Sequence, residues 1–185
     1  MIPVPDSFSE LVALVPAPPG AAICNSAGEC RRAGREAARN IFQSGNALVA
    51  HAAFVAGRLK APAAKPLYDV LELFAFVRPG QPFVPSALGL ARSLNGESPE
   101  TPEEQAASLF ATARTLLDEI AALPEDTKAK LAPLIGTLTR AGWRWAPLLQ
   151  AQIGSPAPHG SPIAGLEAWR TLPQWEDEAL PGTPG

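Results

Sequence analysis

The dipeptide Gly-Lys occurs nowhere in these 185 residues, so the chain holds no G-x-x-x-x-G-K-[ST] phosphate loop. G-x-S-x-G is missing too, which removes the serine elbow of the α/β-hydrolases. Histidine is scarce: His51 and His159 are too far apart in sequence for a metal-binding pair. Cys24 and Cys30 are the only cysteines, and a structural zinc site wants about four N or S ligands. No apolar run approaches the roughly 20 residues of a membrane span. Met1 to Glu10 has neither a basic start nor a long apolar stretch, so it does not read as a secretory signal. The expectation is a cytoplasmic protein with no membrane segment, no resident metal and no cofactor. Cys24 and Cys30 flank a turn-like "NSAGE" and can face each other across a hairpin; in a reducing compartment they are expected as free thiols.

What is present suits a packed core. Apolar residues make up 46% and charged residues 18%, too apolar for a disordered chain, and the length suits one domain with a small annex. The net charge of -3 is unevenly spread. Residues 31–96 carry nine basic side chains against Glu36, Asp69 and Glu72, whereas residues 97–185 hold six basic and twelve acidic groups. The basic middle is read first as an ordinary solvated surface, because the chain as a whole is acidic; contact with nucleic acid is the alternative.

Along the chain, "LVALV" at 11–15 reads as a strand stopped by prolines. Residues 21–24, a turn carrying Asn25, Ser26 and Gly28, and a polar return read as a hairpin. "REAARNIF" offers a short helix, "ALVAH" a buried strand after Gly45-Asn46, and "AAFVAGRL" a helix that packs back on it. Asp69 is a natural N-cap with Glu72 as its capping-box partner, opening a helix over 70–77 that is apolar nearly all round. A shorter helix follows at "SALGLARSL". Residues 102–122 form the clearest helix, with Thr101 as cap, Pro102 at its first position and Glu104 closing a capping box. Residues 126–141 are helical but interrupted by Pro133 and Gly136.

This order predicts an α/β or α+β fold: a small sheet, built from the hairpin and the 47–50 strand, packed against the 70–77 and 102–122 helices. Three segments are expected: 1–123 as the α/β domain, 124–153 as a helical annex, and 154–185, with six prolines and five glycines, as a tail or linker. Of Trp143, Trp145, Trp169 and Trp175, the first reading is that they dock annex and tail onto the core; the alternative is a stacking platform for single-stranded bases. Acidic neighbours (Glu167, Glu176, Asp177, Glu178) favour docking.

The blocks "LVAHAAFVAGRL", "YDVLELFAFVRP", "SALGLARSL" and "AASLFATARTLLDEI" resemble, in order, the second half of a DnaQ-type (DEDD) exonuclease. With "GWRWAPLL" and "LPQWEDE" added, residues 11–178 resemble the N-terminal region of the DinG-like ATP-dependent DNA helicases of alphaproteobacteria. The resemblance implies a degenerate ribonuclease H-like, exonuclease-like core. DEDD nucleases hold two metal ions with four carboxylates, which activate a water and stabilise the leaving oxygen. Here the early strands carry no Asp-x-Glu. Ala52 and Ala56 fall at the Asn and Asp of the second motif, and Ser108 and Glu103 at the Asp and His of the third. An alanine methyl cannot hold a hard cation. His51 then reads as a strand-end histidine bonded to backbone or solvent, and Asp69 as a cap.

The resemblance therefore implies a non-catalytic accessory domain, used for docking or for weak contact with single-stranded DNA, with helicase motor domains downstream. The alternatives are a metal-dependent 3'-5' exonuclease, disfavoured by the missing carboxylates, and a protein-interaction domain unrelated to DNA. If a strand is bound, Arg31, Arg32, Arg35 and Arg39 are the expected contacts, because guanidinium forks suit phosphate and only Glu36 offsets them locally.

Overall fold

The first two strands take shape around a proline turn. In the computed structural model, which describes residues 8–62, 66–96, 98–154, 166, 169, 170 and 172, β1 (Val12–Ala17) pairs antiparallel with β2 (Gly20–Asn25). β1 does not stop at Val15 as expected: Pro16 lies opposite Ala21, and Ala17 opposite Gly20. Its other neighbour, β4 (Ala47–Val49), pairs only with Val12 and Ala13, so the N–H that Pro16 lacks is not needed on that side. Gly20 is required by a close approach: a Cβ there would sit 2.0 Å from the carbonyl oxygen of Ala33.

Asn25 shapes the hairpin turn, its Oδ1 accepting the N–H groups of Ala27 at 3.1 Å and Glu29 at 2.9 Å. The return strand, β3 (Cys30–Ala33), places Cys30 opposite Cys24, and the two form a disulfide. This corrects the expectation of free thiols; the cysteines are partners because the hairpin register sets them face to face.

Helix α1 (Arg35–Ser44) buries Ala38 and Phe42 and crosses over to β4, which lies parallel to β1. Helix α2 (Ala52–Leu59) leads to β5 (Tyr68–Asp69), parallel to β4. The result is an open, mixed five-stranded sheet in the order β3-β2-β1-β4-β5, an α/β fold as the sequence led us to expect. Alternate strand residues face two cores. Leu14, Ile23 and Val49 pack with Phe42, Val55 and Leu59 under α1 and α2. Ala13, Ala22 and Leu48 belong to a larger core on the other face, centred on α5 (Pro102–Ala121), whose expected capping box is present.

Helix α3 (Val70–Val77) starts from the edge strand and packs chiefly on α5, not on the sheet as expected. Phe74 and Phe110 are both buried. After α4 (Ala87–Asn95) and α5, α6 (Glu125–Arg140) runs unbroken through Pro133 and Gly136. Burial of Leu131, Ala132, Leu134 and Ile135 in the larger core outweighs the weak local propensity. Helix α7 (Ala146–Ile153) joins the same core. No helix among the described residues is long and apolar enough to cross a membrane.

The indoles act as docking pins. Trp145 is fully buried, packs edge-on against Tyr68 and donates Nε1–H to the Asp69 carbonyl at 2.8 Å. Trp169 donates to the Phe76 carbonyl at 3.0 Å. Trp143 donates to Glu72 at 2.7 Å, and this corrects the second expected capping box: Asp69 caps Leu71, but the Glu72 carboxylate turns to the indole. Trp175, His159 and most of the expected 154–185 linker lie outside the described residues.

Candidate functional site

From β1 the chain turns to one side of the sheet, into β2; from β4 it turns to the other, into β5. These neighbouring parallel strands therefore form a topological switch point, and in open α/β sheets the crevice beyond the carboxyl ends of such strands is where ligands bind. Here that crevice is a cleft of about 490 Å³. Leu14, Val15 and Pro16 of β1 form one wall, and Ala50, His51 and Phe54 the next. Pro85, Ser86 and Ala87 before and within α4, with Gln105 of α5, close the far side.

A buried carboxylate sets the crevice's shape. Asp69, 5% exposed, accepts the backbone N–H groups of His51 at 2.9 Å, Ala52 at 2.6 Å and Leu71 at 3.0 Å. It thereby ties the end of β4 to the start of α3. His51 is held at φ 64° and ψ 76°, a left-handed conformation that side chains seldom adopt. The turn stacks its imidazole on Phe54, with ring centroids 6.2 Å apart and planes 21° apart. Phe54 is 53% exposed, unusual for so large an apolar ring.

The crevice is poor in reactive groups. Its polar side chains are His51, Ser86 and Gln105, and Ser86 Oγ is already engaged as the α4 cap, accepting from Gly89 at 3.1 Å. Among the described residues no three His, Cys, Asp or Glu side chains cluster as metal ligands. Of the four positions that the sequence resemblance sets against nuclease motifs, Ala52 gives its N–H to Asp69 and Ala56 packs beside the α1–α2 core. Ser108 is buried and donates to the Gln105 carbonyl at 2.9 Å. Glu103 pairs with Arg32. None of the four lines the crevice; Gln105 is the residue of α5 that does.

The four arginines do not form one patch. Arg31 and Arg32 are consecutive on β3, so their side chains leave opposite faces of the sheet. Arg31 lies over the hairpin beside Cys24 and Cys30, whereas Arg32 meets Glu103 of α5. Arg39 is half-buried and donates Nε–H to the Leu59 carbonyl at 2.6 Å, locking α1 onto the end of α2. Arg35 alone faces a cleft with other cations, Arg58 and Lys60. Phe54, Gln105 and the Leu14–Pro16 wall were not singled out in the sequence. The available signal was topological: residues just past two parallel strands that diverge.

Comparison of the chain with family models, with curated proteins and with solved structures returns no match. The class the molecule itself defines is an α/β protein with an open mixed sheet and a switch-point crevice walled by apolar and aromatic side chains.

Proposed function

We propose that this chain is a non-catalytic accessory domain of a DinG-like DNA helicase, cytoplasmic, that makes weak contact with single-stranded DNA at the switch-point crevice. The observation that carries the reading is the crevice lining. The crevice presents a stacked His51–Phe54 pair and apolar walls, and no carboxylate is among the described residues that line it. An exposed aromatic ring suits a base, because every base has a π-face, and stacking is worth about 1–3 kcal/mol per base. The resemblance of the sequence blocks to those of DnaQ-type exonucleases and DinG-like helicases is in keeping with the same reading.

A second reading rests on a separate observation. Val84 and Phe54, 64% and 53% exposed, stand in or beside the segments that wall the crevice and offer apolar area to a protein surface, such as the motor of the same helicase. Incubating labelled single-stranded oligonucleotide with pure protein, in magnesium or manganese and then in chelator, tests the first reading. Binding without cleavage in both conditions is expected. Digestion abolished by chelator would overturn the non-catalytic assignment, and no binding at low salt would favour the second reading.

A further inference from the structure

The β1–β2 turn and the end of α2 enclose a second cleft, of about 280 Å³. Three cations reach it from two helices: Arg35 opens α1, while Arg58 and Lys60 end α2. All three residues are exposed, and no acidic side chain is among the described residues lining the cleft. The ion pairs of Arg32, Arg78, Lys128 and Lys130 leave these three untouched. A cation at a helix C-terminus often serves only to satisfy the last carbonyls. Here three of those carbonyls have other donors: Arg39 Nε–H takes Leu59, the Ala61 N–H takes Ala56 and the Lys60 N–H takes Gly57. Gly20 lets the proline turn lie against the end of β3, which brings Arg35 to the same cleft. Three like charges converge, and none of them has an ion-pair partner among the described residues.

This cleft adjoins the switch-point crevice. Pro16 lines both. Phe54 and Arg58 are i and i+4 on α2, so their Cβ atoms lie about 5–6 Å apart on one face of the helix. We propose that the two clefts form one track for a single nucleic-acid strand, with a base on Phe54 and the adjoining phosphodiester held by Arg35, Arg58 and Lys60. The inference rests on the strand-contact reading and deepens it, replacing the four-arginine patch with a different set of cations.

The test is a salt titration of fluorescent oligothymidylate binding by anisotropy. It compares the wild type, the R35Q/R58Q/K60Q variant, the charge-keeping R35K/R58K/K60R variant and R31Q, with folding checked by circular dichroism. Three phosphate contacts on a single strand give a log–log slope of about -2. The neutral triple variant is expected to lose at least about tenfold in affinity at low salt and to flatten that slope, whereas the charge-keeping variant and R31Q keep both. Alongside, inorganic phosphate titrated into labelled wild-type protein is expected to shift the backbone amide resonances of Arg35 and Lys60. If the folded neutral variant binds as tightly and as salt-sensitively as wild type, the track is wrong while the strand reading survives. If phosphate shifts those amides but no oligonucleotide binds, the strand reading falls, and the track with it. If neither ligand binds, the cation site itself is refuted.

Discussion

Asp69 on β5 accepts the backbone N–H of His51 at 2.9 Å and so holds a non-glycine residue at φ 64° on the rim of the crevice. The same carboxylate takes the N–H groups of Ala52 and Leu71, which makes it the joint between the end of β4, α2 and α3. Hydrogen bonds to a charged acceptor contribute about 1.5–3 kcal/mol each. Asp69→Asn keeps one acceptor oxygen and removes the charge, so a loss of about 2–3 kcal/mol in urea unfolding is expected, and more for Asp69→Ala. A loss under about 0.5 kcal/mol for either would show that Asp69 is not this joint.

His51→Gly separates the strain of the turn from its use. A left-handed conformation costs a non-glycine residue about 1–2 kcal/mol, so the variant should hold or raise the urea midpoint while weakening oligonucleotide binding. A large drop in stability with unchanged binding would show that the imidazole serves packing alone.

Much of the architecture was legible because local signals and burial agree. The hairpin, α1, α2, α4 and the capped α5 follow from periodicity and turn residues. Residues with two competing roles were misread. Glu72 fits a capping box, yet Trp143, 71 residues away in sequence, claims its carboxylate. Pro133 reads as a break, yet core packing carries α6 through it. The arginines look clustered, yet strand alternation sends Arg31 and Arg32 to opposite faces, and Glu103 and the Leu59 carbonyl occupy Arg32 and Arg39. The crevice was hidden because its walls come from β1, the start of α2, α4 and α5, and only the topology joins them.

Glu72 gives a pH dependence. Burial raises its pKa above the ordinary value of 4.5; the nearby Asp69 charge adds to this, and the Trp143 hydrogen bond opposes it. A raised carboxyl pKa means the folded state favours the proton. That contribution is complete below about pH 4.5 and is lost as pH rises through the folded value. Glu72→Gln keeps an acceptor for the indole and carries no charge. It should match wild type near pH 4 and melt slightly higher at pH 7, by no more than about 2 °C, because the carboxylate is only partly buried and solvent screens its charge. A variant that melts lower at pH 7 than at pH 4, relative to wild type, would reverse the sign.

Cys24 and Cys30, six residues apart, close a small loop that the hairpin already orders. Chain entropy sets an upper value of about 2 kcal/mol for so short a loop, so reduction, or the C24A/C30A variant, should lower the urea midpoint by about 1–2 kcal/mol equivalent without unfolding the protein. Two titratable thiols in the air-oxidised protein would contradict the pairing.

The central claim is that the switch-point crevice binds a strand by stacking and without metal. Anisotropy of a labelled single-stranded oligonucleotide, titrated with wild type and with Phe54→Ala in chelator, tests it most directly. The account expects salt-sensitive binding by wild type, unchanged when magnesium replaces chelator, and a loss of about fivefold or more in the variant, the value of one stacked base. Equal binding by both proteins, or binding that requires the metal, would contradict it.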